Sequence, residues 1–359
     1  MKRNRLIVGL VVLAFAVALV IWAHDRIHFD FAAFRSQLAL ADWRKIVIGA
    51  GCIYLAYIFR SVRWALLMRH NKKVPPFSLI GTQVMGFTAV ALIGRVADPM
   101  RPYLVAKKTG QPLSSQIAVY IVERLFDAGT MALIFSSAIL LSAWFGHTGA
   151  MPHAEVVKKS GYWGMILTVA GALFLVIVRL SGGVVAAFLE RAFSVFSEKL
   201  GRAVGDKIRT FRAGLDTMRS FSDFAAVASL SVAMWVLIAI SYLETTQAFV
   251  ASPPLASMTL AKCVLLMVAS GGASVVQLPV VGWFTQIGLV AAVISSFFGV
   301  TPEAATACAA TILLVTFLSI VPVGLIWAQV DHISLRNVAR ESEHAEEELK
   351  ADSAAEMAE

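Results

Sequence analysis

Charge is scarce in this sequence. Only 15% of its 359 residues are Asp, Glu, Lys or Arg, against about 25% in ordinary soluble domains. A chain that is 58% apolar, with a mean hydropathy of +0.75, cannot cover its surface in water, so a soluble enzyme is excluded. Cysteine is equally thin. Cys52, Cys263 and Cys308 are the three present; each sits inside an apolar run and no two are close in sequence. That excludes a disulfide framework or a zinc site and leaves buried small hydrophobes. Of the seven histidines, only His24 and His28 have helical ligand spacing. They follow the first apolar run and read as interfacial, so no metal is expected. The sequence shows no phosphate-binding loop and no nucleophile–base pair, and no cofactor is expected. The net charge of +8 comes without a basic stripe interleaved with aromatics, which excludes a nucleic-acid partner.

What is there is a series of apolar runs. The length accommodates about eight membrane segments of roughly 20 residues. A basic N-terminus precedes the unbroken run Leu6–Ala23, which lacks a small-x-small cleavage pattern and reads as an uncleaved first helix. Residues 24–45 follow as an external segment, in which Phe29, Phe31, Phe34, Leu38 and Leu40 suggest an amphipathic piece lying on the membrane. Spans are expected at about 46–68, 115–143, 161–180, 224–250 and 303–328. Two further apolar stretches are interrupted: 77–93 by Gly81, Gly86 and Gly94, and 258–300 by Gly271, Gly272, Pro279 and Gly282. Residues 181–222 carry seven Lys or Arg and read as a basic amphipathic segment inserted in a membrane domain spanning 1–330. The acidic tail, 331–359, has few aliphatic residues and reads as disordered or solvated.

Charge chooses the topology. If every apolar segment crossed once, the basic loop 94–111 and the basic stretch 181–222 would lie outside, against the positive-inside rule. If 77–93 and 258–300 instead dip in and return, both basic regions fall inside with the two termini. The expected fold is therefore an all-α polytopic protein of a bacterial-type inner membrane, with about six full spans and two broken re-entrant hairpins. Those hairpins enter from opposite faces, the arrangement of inverted-repeat transporters, whose broken ends meet at the substrate site.

Polar residues inside apolar segments need a reason, because each charge costs roughly 2.5–3.5 kcal/mol on insertion scales. Gln116, Tyr120, Glu123, Asp127 and Thr130 share one helical face, with Arg124 beside it. Two readings fit: an ion-pair network holding helices together, or a polar lining for a lipid headgroup path. Arg60 lies about 13 Å deeper than Arg69 at 1.5 Å per residue and needs a carboxylate partner, for which Glu123 and Asp127 are the candidates. A structural network of Arg60, Glu123, Arg124 and Asp127 is expected. Arg63, nearer the helix end, is expected to snorkel. Arg95, Asp98 and Arg101, set between helix breakers, are expected at the cytoplasmic mouth of a cavity, since arginine suits bidentate phosphate binding. Gln277, Pro279, Gly282 and Gln286 are expected on its far side.

At these residues the sequence resembles a known family. Gly94-Arg95, then Asp98-Pro99-Met100-Arg101-Pro102-Tyr103-Leu104, then Glu123-Arg124-Leu125-Phe126-Asp127, are similar to the pattern of the transmembrane region of lysylphosphatidylglycerol synthases. Gln277-Leu278-Pro279, Gly282, Gln286 and Phe298-Gly299-Val300, with Pro302 and Ala304-Ala305, resemble that group's C-terminal motif. Two departures stand out. Many relatives have a glycine pair and a glutamate where this chain has Gly282-Trp283 and Gln286, and position 98 is Asp where Glu is common. The resemblance covers roughly residues 5–330. It implies lipid translocation without aminoacyl transfer, because no synthase domain follows the last span. It adds Tyr103 to the substrate-binding set, beside Tyr120 on the polar helical face. Membrane lipids are the expected partners. The competing expectations are a non-catalytic membrane subunit that docks a lipid-biosynthetic enzyme through 181–222, and a lipid-modifying enzyme using Asp98, Glu123 and Asp127 as acid/base groups.

Overall fold

The computed structural model describes residues 29–144, 154–195, 197–198, 201–202, 205, 220–273, 281–334, 337–338 and 341–342. The first apolar run, His24, His28, Gln277, Pro279, Arg209 and the tail beyond 342 lie outside the described residues. Every regular element among the described residues is helical: α1 (Phe31–Ala39), α2 (Trp43–Met68), α3 (Ile80–Ile93), α4 (Met100–Thr109), α5 (Leu113–Trp144), α6 (Ala154–Ser194), α7 (Phe221–Gln247), the single turn α8 (Pro253–Ala256), α9 (Leu260–Ala273), α10 (Val281–Phe298), α11 (Pro302–Leu313) and α12 (Ile320–Val330). Short 3₁₀ turns cover Pro76–Leu79 and Arg95–Ala97, and a π turn, Leu314–Leu318, joins α11 to α12. Among the described residues, five stretches are long and apolar enough to cross a membrane: Trp43–Met68, Pro76–Ile93, Leu113–Leu141, Ser222–Gln247 and Pro302–Val330. The protein is an all-α, multi-pass membrane protein.

Two long helices form the frame. α2 and α7 run antiparallel over their full lengths. At one end the Asp42 N–H donates to Ala248 O at 2.8 Å and Lys45 Nζ to Gln247 Oε1 at 2.9 Å. At the other end Arg69 pairs with Asp223, whose carboxylate also meets His70 Nε2 at 2.8 Å. Asp223 completes a capping box with Ser220 at the start of α7, so one carboxylate both begins that helix and ties it to α2. Gly49 lets the backbones close: a Cβ there would stand 2.9 Å from Thr245 Oγ1. These contacts define two faces of the molecule, one at Asp42 and Ala248, the other at Arg69 and Asp223.

Both interrupted stretches are hairpins that return to the face they leave. α3 starts beside the end of α2, where Leu79 packs with Leu67 and Met68. Its chain breaks at Gly94, at φ 94° and ψ −172°, and α4 comes back until Lys72 Nζ reaches Thr109 O at 2.5 Å. Gly110 ends α4 in the left-handed conformation. The segment expected as a loop over 94–111 is thus mostly helix, because Pro99 opens a new helix at its first turn. α9 and α10 begin and end on the opposite face. Gln247 Nε2 donates to Met258 O at 2.9 Å, and Glu303, just past α10, accepts from the Asp30 N–H at 3.4 Å. The two hairpins meet near their inner ends: the Trp283 indole N–H donates to Ala91 O at 3.2 Å. The end expected near 180 for one span coincides with a kink. α6 runs on to Ser194, with a break in helical geometry at Ser181 where the basic segment was expected to begin.

Candidate functional site

The polar face of α5 turns toward α2, α4 and the first hairpin. Gln116 and Glu123 are completely buried, and Asp127 and Thr130 nearly so. Gln116 Oε1 accepts from the Trp64 indole N–H at 3.0 Å. Seven residues on, Glu123 Oε1 is the focus of four guanidinium groups. Arg101 Nη2 and Arg124 Nη2 approach to 2.8 Å, Arg63 Nη2 to 3.2 Å and Arg60 Nη1 to 3.3 Å. One turn further, Asp127 Oδ1 accepts from Arg63 Nη1 at 2.7 Å and from the Trp235 indole N–H at 3.3 Å. Asp127 Oδ2 lies 3.2 Å from Arg124 Nη2 and 3.8 Å from Arg60 Nη1. Charges removed from water are tolerated only when paired and hydrogen-bonded, and this interlocked cluster supplies the pairs.

Two arginines stand where the sequence did not place them. Arg63 does not snorkel. Its side chain is 1% exposed, because α7 lies over it and Ser231 Oγ accepts from Nη1 at 2.8 Å. Arg101 does not sit at a cytoplasmic mouth. It too is 1% exposed, held by Gln83 Oε1 at 2.7 and 3.2 Å. It faces the Phe87 ring at 4.4 Å and the Trp64 ring at 5.2 Å. Phe87 also receives Arg60, at 4.7 Å, so one ring lies against two cations. Gly86 makes room for this: a Cβ there would fall 2.3 Å from Arg101 Cγ.

Beside the cluster lies a cavity of about 580 Å³, within the range of ligand sites. Its charged lining is Arg60, Arg95, Asp98, Arg124 and Asp127; Gln286 lies among the polar groups of its wall. Apolar walls come from Ile53, Phe87, Ile238, Met267 and Phe317. Both hairpins contribute, the first through Val90, Arg95 and Asp98 and the second through Met267, Ser270 and Gln286. Arg95 and Asp98 sit at the first hairpin's tip, 3.8 Å apart, about 20 Å of helix beyond the start of α3 at 1.5 Å per residue. They are therefore at the inner end of the hairpin, not at its entry. Arg95, Ala128, Val268 and Gly271 of its lining are exposed at the protein surface.

The expected site residues thus divide. Arg95, Asp98, Arg124, Asp127, Arg60 and Gln286 line one cavity. Glu123 and Arg101 lie behind its wall in the ion cluster, with the Tyr120 ring 5.2 Å from Arg124 and 5.5 Å from Arg101. Tyr103 is elsewhere, its hydroxyl donating to Glu341 Oε2 at 3.0 Å. Gly282, in the first turn of α10 beside Trp283, receives the Thr285 hydroxyl at 2.9 Å through its carbonyl. Gln286 Nε2 donates to Ser270 Oγ at 2.7 Å. Gln83, Trp64 and Trp235 complete the site without having been singled out in the sequence; an uncharged polar or indole side chain inside an apolar run was the available signal.

Comparison with curated proteins gives no match. Comparison with family patterns gives one: residues 6–324 match the lysylphosphatidylglycerol synthase transmembrane region. The match takes in both hairpins, the ion cluster and the cavity, and the chain belongs to the lysylphosphatidylglycerol synthase transmembrane region family.

Proposed function

We propose that this protein is a lipid flippase or scramblase, handling a phospholipid or another anionic or aminoacylated lipid at the cavity between the hairpin tips. The observation that carries this reading is a largely apolar cavity bearing Arg60, Arg95 and Arg124 where two hairpins from opposite faces meet. Non-helical backbone at that depth is tolerated only where protein or a water-filled cavity surrounds it. A lipid headgroup crossing the bilayer needs the same polar surroundings, while its tails remain in hydrocarbon outside. The exposed lining at Ala128, Val268 and Gly271 gives those tails an exit. Membership of a family named for a lipid synthase's membrane region agrees with a lipid ligand. An acid/base role for Glu123 and Asp127 is the weaker reading, since both carboxylates are held as counterions by several guanidinium groups.

The test is lipid movement by the purified protein in liposomes. With tail-labelled fluorescent phospholipid and a membrane-impermeant quencher, proteoliposomes should lose about all of the signal and protein-free vesicles about half, because one leaflet is inaccessible without translocation. Quenching that stops at the protein-free level for phospholipids and aminoacylated lipids alike would remove this function.

A further inference from the structure

We infer that the cavity selects lipids with a net negative headgroup and discriminates against zwitterionic and aminoacylated ones. This rests on the proposed lipid-handling role and narrows its substrate class. The cluster and the cavity lining together contain eight ionised side chains: Arg60, Arg63, Arg95, Arg101 and Arg124 against Asp98, Glu123 and Asp127. Five cations face three anions, an excess of two positive charges; Arg60, Arg95, Arg124, Asp98 and Asp127 of these line the cavity itself.

Each carboxylate is already paired with guanidinium groups. Glu123 Oε1 meets four of them; its Oε2 is buried without a hydrogen bond, but Glu123 does not line the cavity. Asp127 meets Arg63, Arg124 and Arg60 between its two oxygens. Asp98 has Arg95 at 3.8 Å. Asp127 Oδ2 is buried without a hydrogen bond, but the Arg124 guanidinium at 3.2 Å neutralises its charge. It would accept a hydroxyl, not recruit a cation. Three guanidinium groups, Arg60, Arg95 and Arg124, border the cavity itself. Across it, the wall at Gln286 is neutral, its amide bonded to Ser270. A phosphodiester anion entering here gains charge-assisted hydrogen bonds and offsets the excess. A lysyl ester on the same headgroup would bring its ammonium groups into a positive field in which every carboxylate is already paired with guanidinium groups.

The experiment compares three tail-labelled lipids in the same proteoliposomes: phosphatidylglycerol, phosphatidylcholine and lysylphosphatidylglycerol. Phosphatidylglycerol should move at least about tenfold faster than the other two, a preference that one charge pair some 12 Å apart supplies at an effective dielectric of about 20. Gln286→Glu places a carboxylate on the neutral wall at nearly constant shape, and Ser270 can still bond to it. This variant should lose most of the preference for phosphatidylglycerol. Arg95→Gln should weaken it in the same sense, whereas Arg95→Gln with Asp98→Asn, which restores the net charge, should keep it. A second readout needs no transport: phosphatidylglycerol should raise the melting temperature in detergent more than either other lipid, because a ligand that binds only the folded state stabilises it. Equal movement of all three lipids would leave translocation standing and overturn charge selection. Faster movement of lysylphosphatidylglycerol would overturn it outright. No movement of any lipid would remove the translocation reading and this inference together.

Discussion

Glu123 is the residue on which the site depends most. Its side chain is completely buried and one oxygen meets four cations. Glu123→Gln leaves those guanidinium groups facing one another, and breaking a buried pair from one side costs about 3–5 kcal/mol. The expected outcome is a clear fall in thermal stability in detergent, partly restored by adding Arg101→Gln or Arg124→Gln. Additive losses in both double mutants would show that the charges do not communicate. Arg101→Lys keeps the charge but loses the fork that joins Gln83 to Glu123 and the flat contact on Phe87. Arginine and lysine are not interchangeable at such a site. Because Arg101 is enclosed and does not line the cavity, this variant should lower stability by about 1–3 kcal/mol, the range for a charge-assisted bond, together with activity. Unchanged melting with lost transport would instead mark Arg101 as a direct headgroup ligand. Of this cluster, Glu123, Asp127, Arg124 and Arg60 were legible in the sequence, through their spacing on one helical face and through depth. Arg63 was not. Its distance from the helix end fits snorkelling, and only the antiparallel packing of α7, which places Ser231 against it, makes it a core residue. Arg101 follows two helix breakers, and no periodicity in one dimension shows that the hairpin's return carries it back to Gln83.

At the scale of elements, the hairpins were legible because glycines interrupted apolar runs while the basic loops demanded one face. The helical second limb over Met100–Thr109 was hidden by its prolines and lysines, which look like a loop until the first proline is placed at a helix start. Gly94 makes the turn possible. Its φ of 94° and ψ of −172° lie in a region open essentially to glycine, so Gly94→Ala should cost about 1–3 kcal/mol. That loss should be accompanied by displacement of Arg95 and Asp98 from the cavity, read as slower lipid movement at a temperature where the variant remains folded. Wild-type rates and melting in Gly94→Ala would show that the tip geometry is not required. Trp283 stands where the family pattern commonly has a second glycine, and it bonds the last turn of α3 at Ala91 O. That carbonyl lies at a helix end with no intrahelical partner, so the indole closes one hairpin against the other. Trp283→Phe keeps the ring and removes the donor. A loss of about 1 kcal/mol is expected, along with faster exchange of the backbone amides around the tips. Unaltered exchange there would mean that the tips are held by packing alone.

At the scale of the whole molecule, the faces defined by α2 and α7 organise everything else. Lys72, Lys107 and Glu341 gather at one of them, with Lys72 bonded to Thr109 and Lys107 3.6 Å from Glu341. Ser252 lies at the other, beyond Ala248. The positive-inside rule assigns the first face to the cytoplasm. Single cysteines at positions 72 and 107 should therefore resist an impermeant thiol reagent in intact cells, and one at 257, an exposed position on the Ser252 face, should react. Labelling at 107 with protection at 257 would invert the orientation.

The central claim is that lipid crosses by way of the cavity between the hairpin tips, and filling that cavity tests it most directly. Gly271 borders the cavity at the surface of α9, where an added Cβ would meet nothing within 4 Å. A tryptophan there has room to stand in the opening without disturbing the core. In tail-labelled phosphatidylglycerol proteoliposomes the wild-type protein should exchange lipid between leaflets. Gly271→Trp should reduce exchange to the protein-free rate at an unchanged melting temperature. Wild-type exchange in a folded Gly271→Trp protein would contradict the account, because lipid would then be crossing somewhere else.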